Sequence, residues 1–416
     1  MSNWPMVSLY EIVSQIDRAE PVKTDSKYRL LGVRLEGNGA FHRETLSGNE
    51  TSATRLSRVE VGDFIYSRLF AWRGAFGIIG PELDGAFVSN EFPLFRVDDS
   101  QLDSRFLNRW FQLPATWKRV EEDCTGSTPT TRNRFKEAFF LKLEIPLPPL
   151  PEQRVIVAKL DDLSDKTTRI NAHLDAVESE ADRLLALSFR DAIASVPYRP
   201  MSEVAPLVRR EVEIDAEARY PELGIRSFGK GTFHKPAVSG MELGTKRLFR
   251  IEPGDLLFSN VFAWEGAITI ARPEDAWRFG SHRFMTCVVD SQKIEASFLL
   301  YYLLGNEGLE KVREASPGGA GRNRTLGVEK LARIEVPVPP MAAQRDFTTL
   351  QTAVTELKAK HAAIRQSSSA VVPAALERLF GAHRTPAAQY RRPEHPPGCA
   401  AIQASLCNDD LVVEAE

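Results

Sequence analysis

Two arginine-rich segments are the residues of this chain best suited to bind a polyanion. Arg132-Asn-Arg134 follows the polar loop at residues 126–131, and Arg322-Asn-Arg324 follows the glycine-rich loop at residues 317–321. Lys136 adds a further cation after the first segment. An arginine on a loop can form bidentate hydrogen bonds to a phosphate or to the edge of guanine. A solvated basic turn is the alternative, but Arg-Asn-Arg is retained while the loops around it have diverged, which favours contact with DNA.

A second group of candidates lies in a segment that occurs twice. Residues 58–75 return as residues 250–267, a spacing of 192, and ten of the eighteen aligned positions are identical. Further matches, such as Leu31-Gly-Val-Arg34 with Leu223-Gly-Ile-Arg226, extend the repeat on both sides. A repeat of this length corresponds to a whole domain rather than to a solenoid unit. The sequence therefore predicts two domains of one fold.

The two copies differ where side chains could reach bases. Arg68 and Arg73 of the first copy are matched by Asn260 and Glu265 of the second. Arginine, asparagine and glutamate favour guanine, adenine and cytosine edges respectively in the major groove. One hypothesis is that the same backbone site reads different half-sites, and ordinary surface variation explains the differences equally well. The residues predicted to contact DNA are Arg68, Arg73, Thr128, Arg132, Arg134, Lys136, Asn260, Glu265, Arg322, Asn323 and Arg324.

The repeated motif also contains aromatic and imidazole groups. We interpret Trp72 and Trp264 as core anchors rather than as platforms for stacked bases, because large aromatic side chains most often pack in cores. His42 and His234 correspond to each other, and two histidines 192 residues apart do not make a metal site.

Motifs of catalytic sites are missing from the sequence. It has no GxxxxGK[ST] phosphate loop, no HExxH, no GxSxG and no Asn/Asp-Pro-Pro-aromatic motif. The turns at Gly37-Asn-Gly39 and Gly229-Lys-Gly231 are too short for a dinucleotide fingerprint. We therefore expect no catalytic residues, no metal site and no cofactor of its own.

Composition sets the outer limits of the interpretation. The chain has 416 residues, 43% of them hydrophobic, which is enough for two globular domains with connecting elements. The net charge of -3 argues mildly against a self-sufficient DNA-binding protein, although partners could supply most phosphate contacts. No signal peptide or membrane span is visible, and the four cysteines are too far apart for a CxxC pair, so we expect a cytoplasmic protein.

Proline clusters at residues 146–149 and 337–340 precede two long heptad patterns. Residues 156–184 and 347–371 carry apolar side chains at alternating spacings of three and four, as in a coiled coil. Because proline is tolerated only near the start of a helix, each helix should begin just after its cluster. The first stripe would be roughly 43 Å long. His361 lies on the second stripe, where we interpret it as a register-setting polar residue rather than a ligand.

The two long helices are the obvious partners for each other's apolar stripes. The heptads alone do not choose between parallel and antiparallel pairing. The near-two-fold repeat favours the antiparallel arrangement, with the globular domains at opposite ends and the helices as a spacer. Other helices are predicted at residues 104–117 and 296–312, and short β-branched and aromatic segments predict strands.

The residues around the first proline cluster carry a resemblance to a known family. The segment at 145–157, Ile-Pro-Leu-Pro-Pro-Leu-Pro-Glu-Gln-Arg-Val-Ile-Val, leads into the first long helix. It resembles the specificity subunits of type I restriction-modification systems over residues 1 to about 381, together with Trp4-Pro-Met-Val7, Gly62-Asp63, Gly126-Ser-Thr128 and the two-copy plan. The second copy departs from this pattern at Met341-Ala-Ala-Gln344, which puts a two-fold-equivalent role of Glu152 in doubt.

The resemblance implies an α+β fold with two homologous α/β target recognition domains. Two long helices would join them as an antiparallel coiled coil about a pseudo-two-fold axis. The expected bounds are 1–150 for the first recognition domain, 151–196 for the first helix, 197–340 for the second domain, 341–381 for the second helix and 382–416 for a disordered tail.

The resemblance also implies a non-catalytic subunit that recognises the two halves of a split target in double-stranded DNA. Its helices would set the gap, with half-sites roughly 34 Å apart, and dock two methyltransferase subunits that use S-adenosylmethionine. Restriction and translocase subunits would join them, and no membrane is involved. The residues expected to dock partners are Pro149, Glu152, Gln153, Arg154, Gln344 and Arg345. The alternative is a protein-interaction scaffold with a coiled-coil dimerisation element.

Overall fold

A computed structural model describes residues 4–124, 134–318 and 324–381 of the chain. Its contacts divide the chain into a first unit, residues 1–164 with 370–416, and a second unit, residues 165–369. The predicted tail at 382–416 lies outside the described residues. None of the helices within the described ranges is both long and apolar enough to cross a membrane. The contact units divide both long helical segments, at residues 164/165 and 369/370, and therefore do not correspond to the domains inferred from the sequence. The inferred domain bounds stay a prediction.

The globular part of the first unit consists of short strands and short helices. Its strands are β1 (Met6–Ser8), β2 (Val13–Ile16), β3 (Ala19–Pro21), β4 (Lys27–Val33), β5 (Ala40–Ser47), β6 (Arg55–Arg58), β7 (Phe64–Tyr66), β8 (Phe76–Ile78), β9 (Phe87–Val88), β10 (Leu94–Val97) and β11 (Glu144–Pro146). Its helices are α1 (Leu9–Ile12), α2 (Ser104–Phe111), α3 (Pro114–Glu122) and α4 (Glu137–Lys142). The helix predicted over residues 104–117 is divided in two, because Pro114 begins a helix of its own.

The second unit repeats this series after the long helix α5 (Leu150–Ala192), which begins in the first unit. Its strands are β12 (Tyr198–Pro200), β13 (Leu207–Val208), β14 (Glu211–Val212), β15 (Arg219–Ile225), β16 (Thr232–Ser239), β17 (Leu248–Arg250), β18 (Leu256–Ser259), β19 (Ile268–Ile270), β20 (Phe279–Ser281), β21 (Phe284–Cys287) and β22 (Glu335–Pro337). Its helices are α6 (Met201–Val204), α7 (Gly240–Leu243), α8 (Ala296–Leu304), α9 (Asn306–Glu314), α10 (Val328–Ala332) and α11 (Met341–Ser369). The helix expected over residues 296–312 is interrupted at Gly305.

Sheet topology is the same in the two units. In the first unit the strand orders are β1-β11, β2-β10-β7-β8 and β3-β6-β9-β4-β5. In the second they are β12-β22, β13-β21-β18-β19 and β14-β17-β20-β15-β16, the same orders shifted by eleven strands. Each unit has one parallel pair, β4 with β9 and β15 with β20, within otherwise antiparallel sheets of its described residues. The sequence repeat therefore specifies a repeated fold.

Each unit has an aromatic core. In the first, Phe76 and Phe111 stack with ring centroids 4.2 Å apart, and Phe140 packs beside them. In the second, Phe298 and Phe347 meet edge to face at 5.5 Å. Burial of rings of this size is the main favourable term in the folding of such domains.

The Gly-Asp pair of the repeated motif has a structural role in both units. The carboxylate of Asp63 is buried and accepts hydrogen bonds from Arg18 at 2.5 Å and from the main-chain N–H of Glu60 at 2.8 Å. Asp255 is held in the same way by Arg210, whose two terminal nitrogens lie 2.6 and 3.0 Å from the carboxylate oxygens. A buried carboxylate needs such partners to offset its desolvation. These residues are retained because they hold the fold.

Within the second unit, α11 packs against the later part of α5. Lys358 contacts Asp182 at 2.6 Å, and Arg365 contacts Asp175 at 2.6 Å. Positions that increase along α11 therefore meet positions that decrease along α5, so the two segments run antiparallel here. His361 is buried between these ion pairs, with Nδ1 2.9 Å from a carboxylate oxygen of Glu178. This contact agrees with its interpretation as a polar residue on the helix seam.

The second long helical segment is not continuous. Helix α11 ends at Ser369, and α12 (Val371–Phe380) forms a separate helix that belongs to the first unit. Pro373 lies in the first turn of α12, where its missing N–H costs least, and its ring would clash with the carbonyl of Ser369 in a continuous helix. In the first unit, Leu376 and Phe380 are buried, and Phe380 packs against Phe106 with ring centroids 5.3 Å apart. The single helix predicted over residues 341–381 is therefore corrected to two helices.

Candidate nucleic-acid interface

The repeated tryptophan motif forms a tight 3-10 turn in each unit. The turns cover Ala71–Arg73 and Ala263–Glu265. The indole N–H of Trp72 donates to the Leu69 carbonyl at 3.0 Å, and that of Trp264 donates to the Val261 carbonyl at 3.0 Å. Both indoles are half-buried. Neither belongs to the apolar clusters formed by the described residues. The interpretation of the two tryptophans as core anchors is therefore wrong, because local hydrogen bonds hold them at the surface of their units.

A cation lies over each of these indole faces. The guanidinium carbon of Arg73 is 5.9 Å from the Trp72 ring centroid, and that of Arg324 is 5.2 Å from the Trp264 centroid. Cation–π attraction holds arginine in place without using its hydrogen-bond donors. Arg73 and Arg324, both on the predicted list, are therefore oriented but keep donors for a further acceptor.

In the first unit two of the predicted arginines, Arg68 and Arg134, are already paired with acids. Arg68 forms an ion pair with Glu137 and also donates to the Asn90 carbonyl. Arg134 is paired with Glu91 at 2.7 Å. A base or phosphate would have to compete with these carboxylates. Lys136, at the N-cap of α4, is exposed.

The matching place in the second unit lacks those acids. Asn260 stands where the first unit has Arg68, and its side-chain oxygen is buried with no hydrogen-bond partner among the described residues. Arg283 stands where the first unit has Glu91, so one charge is reversed. Glu265 accepts a hydrogen bond from the Ser227 hydroxyl at 3.1 Å. Close by, a pocket of about 340 Å³ is lined by Glu222, Leu223, Lys235, Lys246, Ser281, His282 and Arg283. The two units therefore present different charges from one scaffold.

Four predicted DNA contacts cannot be placed. Thr128, Arg132, Arg322 and Asn323 lie outside the described residues. The residues that flank these gaps can be placed. Phe135 donates its N–H to the Arg68 carbonyl at 2.9 Å, and Leu326 donates to the Asn260 carbonyl at 2.7 Å. The main chain just after each arginine-rich segment is therefore hydrogen-bonded to one repeat position. This position is Arg68 in the first copy and Asn260 in the second.

The residues predicted to dock partners divide into buried and exposed groups. Gln153 and Gln344 are both 0% exposed, so their assignment as docking residues is corrected to a structural role. Arg154 and Arg345 are exposed, as is Pro149 just before α5. These three positions stay predicted docking residues.

Glu152 has a partner that exists only in the first copy. Its carboxylate accepts a hydrogen bond from the indole N–H of Trp4 at 3.2 Å. The second copy has Val196 and Ala343 at the two matching positions, so both members of the pair are missing together. The departure seen in the sequence is therefore a paired loss rather than a single substitution.

Two features of this surface escape inference from sequence. One is Arg283. In the sequence it is marked only by the reversal of charge relative to Glu91, the matching residue of the first copy. The other is the turn between β15 and β16, where Phe228 and Gly229 have φ angles of 61° and 65°. Its Gly229-Lys-Gly231 pattern marks a turn, but the pattern does not reveal what the turn packs against.

A comparison with known families finds a match to one part of the chain. The sequence profile of the type I restriction modification DNA specificity domain matches residues 35–179. That segment begins two residues after β4, ends within α5 and contains the first copy of the motif. The match confirms the resemblance seen in the sequence. Over these residues the chain is similar to the DNA specificity domain of type I restriction-modification systems.

Solved structures of this class share the fold. The HsdS subunit from Thermoanaerobacter tengcongensis is 18% identical, with 91% of this chain and 96% of that chain covered and a TM-score of 0.56. A chain from a structure on complex assembly and conformational transition of the type I R-M system is also 18% identical, with 91% and 97% covered and a TM-score of 0.65. At this identity the likeness concerns the fold alone. No curated protein sequence matches the chain.

Proposed function

We propose that this chain recognises a bipartite DNA target, with each unit contacting one half. The observation that carries the proposal is one strand topology presented twice, with Arg68 and Arg73 in one copy and Asn260 and Glu265 in the other. A protein that bound the same half-site twice would have no need for such changes at matched positions. Arginine selects guanine, whereas asparagine and glutamate select other base edges.

The long helices fit the role of a spacer between the two recognition domains. Helix α5 has 43 residues, which corresponds to about 64 Å at 1.5 Å per residue. Its later part runs antiparallel to α11 through the contacts of Asp175 and Asp182. Antiparallel pairing of two matched helices supports a pseudo-two-fold arrangement of two target recognition domains. The spacing of the half-sites would then follow from helix length.

The partners in this proposal are two methyltransferase subunits and the restriction subunits that act with them. The exposed residues at the starts of α5 and α11, namely Pro149, Arg154 and Arg345, are the candidate docking positions. The net charge of -3 supports a division of labour in which partners supply most of the phosphate contacts. The chain itself would mainly select bases.

A binding experiment tests the proposal. Methylation-sensitive sequencing of the host genome would display the split motif, and a duplex with that motif would serve as the probe. We expect tight binding by the chain with its methyltransferase subunits. Lengthening the gap by one base pair, or scrambling either half-site, should weaken binding at least tenfold. If the complex binds all these duplexes equally, the chain acts as a protein scaffold and the proposal is wrong.

A further inference from the structure

The hairpin turn of each unit is anchored on the tryptophan turn. In the second unit the N–H groups of Phe228 and Gly229 donate to the carbonyls of Glu265 and Gly266 at 2.9 and 2.8 Å. In the first unit Glu36 and Gly37 make the same two bonds, to Arg73 and Gly74, at 2.8 Å each. The repeated anchoring fixes the direction in which the tip of the hairpin points.

The turn is of type I′, which needs positive φ at both central residues. Lys230 donates its N–H to the Ser227 carbonyl at 3.4 Å across Phe228 and Gly229. A type I′ turn favours asparagine or aspartate followed by glycine, because these residues tolerate left-handed backbone. Glycine is present at the second position, where a Cβ would come within 2.7 Å of a methyl group of Leu304. At the first position stands Phe228, with φ 61° and 72% of its surface exposed.

A bulky residue in left-handed backbone is disfavoured, and exposure of its ring gives no compensating burial. The fold would be better served at position 228 by asparagine or glycine. Glu36, the matching residue, is also exposed in left-handed backbone, at φ 59°. Both copies therefore keep a strained, outward-pointing side chain at the same place, and its chemistry differs between them.

Cations lie beside Phe228 and on the tryptophan turn that anchors it. The ammonium of Lys230 lies 5.8 Å from the centroid of the phenyl ring. Arg313 donates to the Trp264 carbonyl at 3.2 Å, and Arg324 covers the Trp264 ring. The nearby acid, Glu265, is hydrogen-bonded to Ser227. An exposed ring beside Lys230, next to a tryptophan turn that holds two arginines, suits a partner with a negative backbone and flat apolar bases, which is DNA, better than an apolar protein surface.

We infer that Phe228 is a specificity-determining residue whose ring packs against a base in the half-site contacted by the second unit. The inference rests on the proposed function and extends it to a residue outside the arginine-rich segments. The anchored turn holds the ring in position, and the cations beside it attract the phosphates on either side. Glu36 gives the first unit a carboxylate at this point, which selects a different base edge.

Substitution of Phe228 tests the inference by separating stability from binding. In the complex with methyltransferase subunits, Phe228→Asn and Phe228→Gly should each lower affinity for the motif duplex at least tenfold. Affinity for a duplex without the motif should change less than twofold. The thermal midpoint of each variant should equal or exceed that of the unchanged protein, because both residues accept positive φ. Each base pair of the motif is then substituted in turn, and affinity is measured for the variant and the unchanged complex. The variant should lose its preference at one base pair in one half-site and keep it at all the others.

Trp277 offers a matched control. It is also exposed, at 78%, and also has positive φ, at 64°. Trp277 precedes the start of β20, whereas Phe228 follows the end of the parallel strand β15, so they lie at opposite ends of this pair. Trp277→Asn should stabilise the fold to a similar degree and leave DNA affinity unchanged.

Three outcomes would overturn the inference. Motif affinity within twofold of the unchanged complex for Phe228→Asn would leave the proposed function intact and remove Phe228 from it. A loss of affinity accompanied by a lower thermal midpoint would assign Phe228 a structural role. If the unchanged complex prefers no duplex, both the inference and the proposed function fail.

Discussion

The side-chain carbonyl of Gln153 accepts a hydrogen bond from the main-chain N–H of Asp103 at 2.8 Å. Its amide group donates to the carbonyls of Gln101 and Pro148, each at 2.8 Å. Gln344 makes the matching contacts in the second unit, to Glu295, Lys293 and Pro339. One buried amide in each unit thus joins the start of a long helix to the start of a short one.

Gln153→Leu should destabilise the first unit. Leucine has a similar size but leaves one main-chain donor and two carbonyls unsatisfied in a buried position, which costs about 2–4 kcal/mol. Unfolding in urea, followed by tryptophan fluorescence, would measure the change. Arg154→Ala, at the exposed neighbouring position, should change the free energy of unfolding by less than about 0.5 kcal/mol. Equal effects of the two substitutions would argue against the amide contacts.

Glu137→Gln should increase the affinity of the complex for DNA. The carboxylate of Glu137 pairs with Arg68, so its removal frees a guanidinium for phosphate or guanine. We expect about a three- to tenfold gain and a salt dependence steeper by about one released ion. Fluorescence anisotropy at several salt concentrations would measure both. Glu122→Gln removes an exposed acid from α3 and is the control for net charge. Equal gains from the two variants would mean that Arg68 itself has no part in binding.

A polar network in the second unit replaces apolar residues of the first. Asp275 is 0% exposed and accepts hydrogen bonds from the hydroxyl of Thr232 and from His234, both at 2.8 Å. The matching residues of the first unit for Thr232 and Asp275 are Ala40 and Leu83. The exchange is coordinated, because a buried carboxylate needs donors and a leucine needs none.

Asp275→Leu alone should therefore cost about 3 kcal/mol, since it leaves the Thr232 hydroxyl without its acceptor and removes the ion pair to Arg272. The double variant Thr232→Ala/Asp275→Leu should recover more than half of this loss, because Arg272 is near the surface and can turn to solvent. Thermal unfolding of the two variants gives the comparison. A double variant that is less stable than Asp275→Leu would contradict the coordinated exchange.

The same network predicts how stability depends on pH. Burial alone would raise the pKa of Asp275, but hydrogen bonds from Arg272, Thr232 and His234 outweigh it and lower the pKa from 3.8 to about 2. The folded form then binds the proton more weakly than the unfolded chain. The contribution of the ionised Asp275 carboxylate to the free energy of unfolding is complete above pH 4 and is lost as the pH falls towards 2. The stability gap between the unchanged protein and Asp275→Leu should narrow over this range, as measured by urea midpoints, and a constant gap would contradict the assignment.

Charge exchange tests the direction in which α5 and α11 pair. Lys358→Asp places two acids together with Asp182, so the thermal midpoint should fall by about 2–4 °C. Asp182→Lys/Lys358→Asp should restore it, because the pair is reformed with reversed signs. Asp175→Lys with Lys358→Asp joins residues that do not face each other and should not restore the midpoint. Rescue by the second combination would indicate a different register.

The sequence revealed the features that depend on local or repeated patterns. Heptads after Pro149 predict a long helix, and α5 begins at Leu150. The repeat predicts one fold used twice, and the strand orders agree. The apolar pattern alone predicts continuous helices where proline or glycine interrupts them. Helices are divided in this way at Pro114, Gly305 and Pro373.

Contacts between distant residues could not be inferred. Gln153 and Asp103 are fifty residues apart, and no periodicity links them. Docking and structural glutamines look alike in a motif, because only burial distinguishes them. Arg68 and Glu137 are 69 residues apart, and no sequence pattern links them. Their ion pair nevertheless decides whether the arginine is available to bind DNA. The sequence therefore predicts which residue types belong to the candidate site. It does not predict which of them are buried or paired with other residues.

Helix α12 has a consequence for the order in which the chain can fold during synthesis. Leu376 and Phe380 complete the core of the first unit, although they emerge from the ribosome after all of the second unit. The second unit has no such delay, since the residues that fill the matching place, Leu185 and Phe189 of α5, precede it. The first domain to be translated is thus the last to close its core. Until then it exposes Phe106 and its neighbours to chaperones or to other nascent chains.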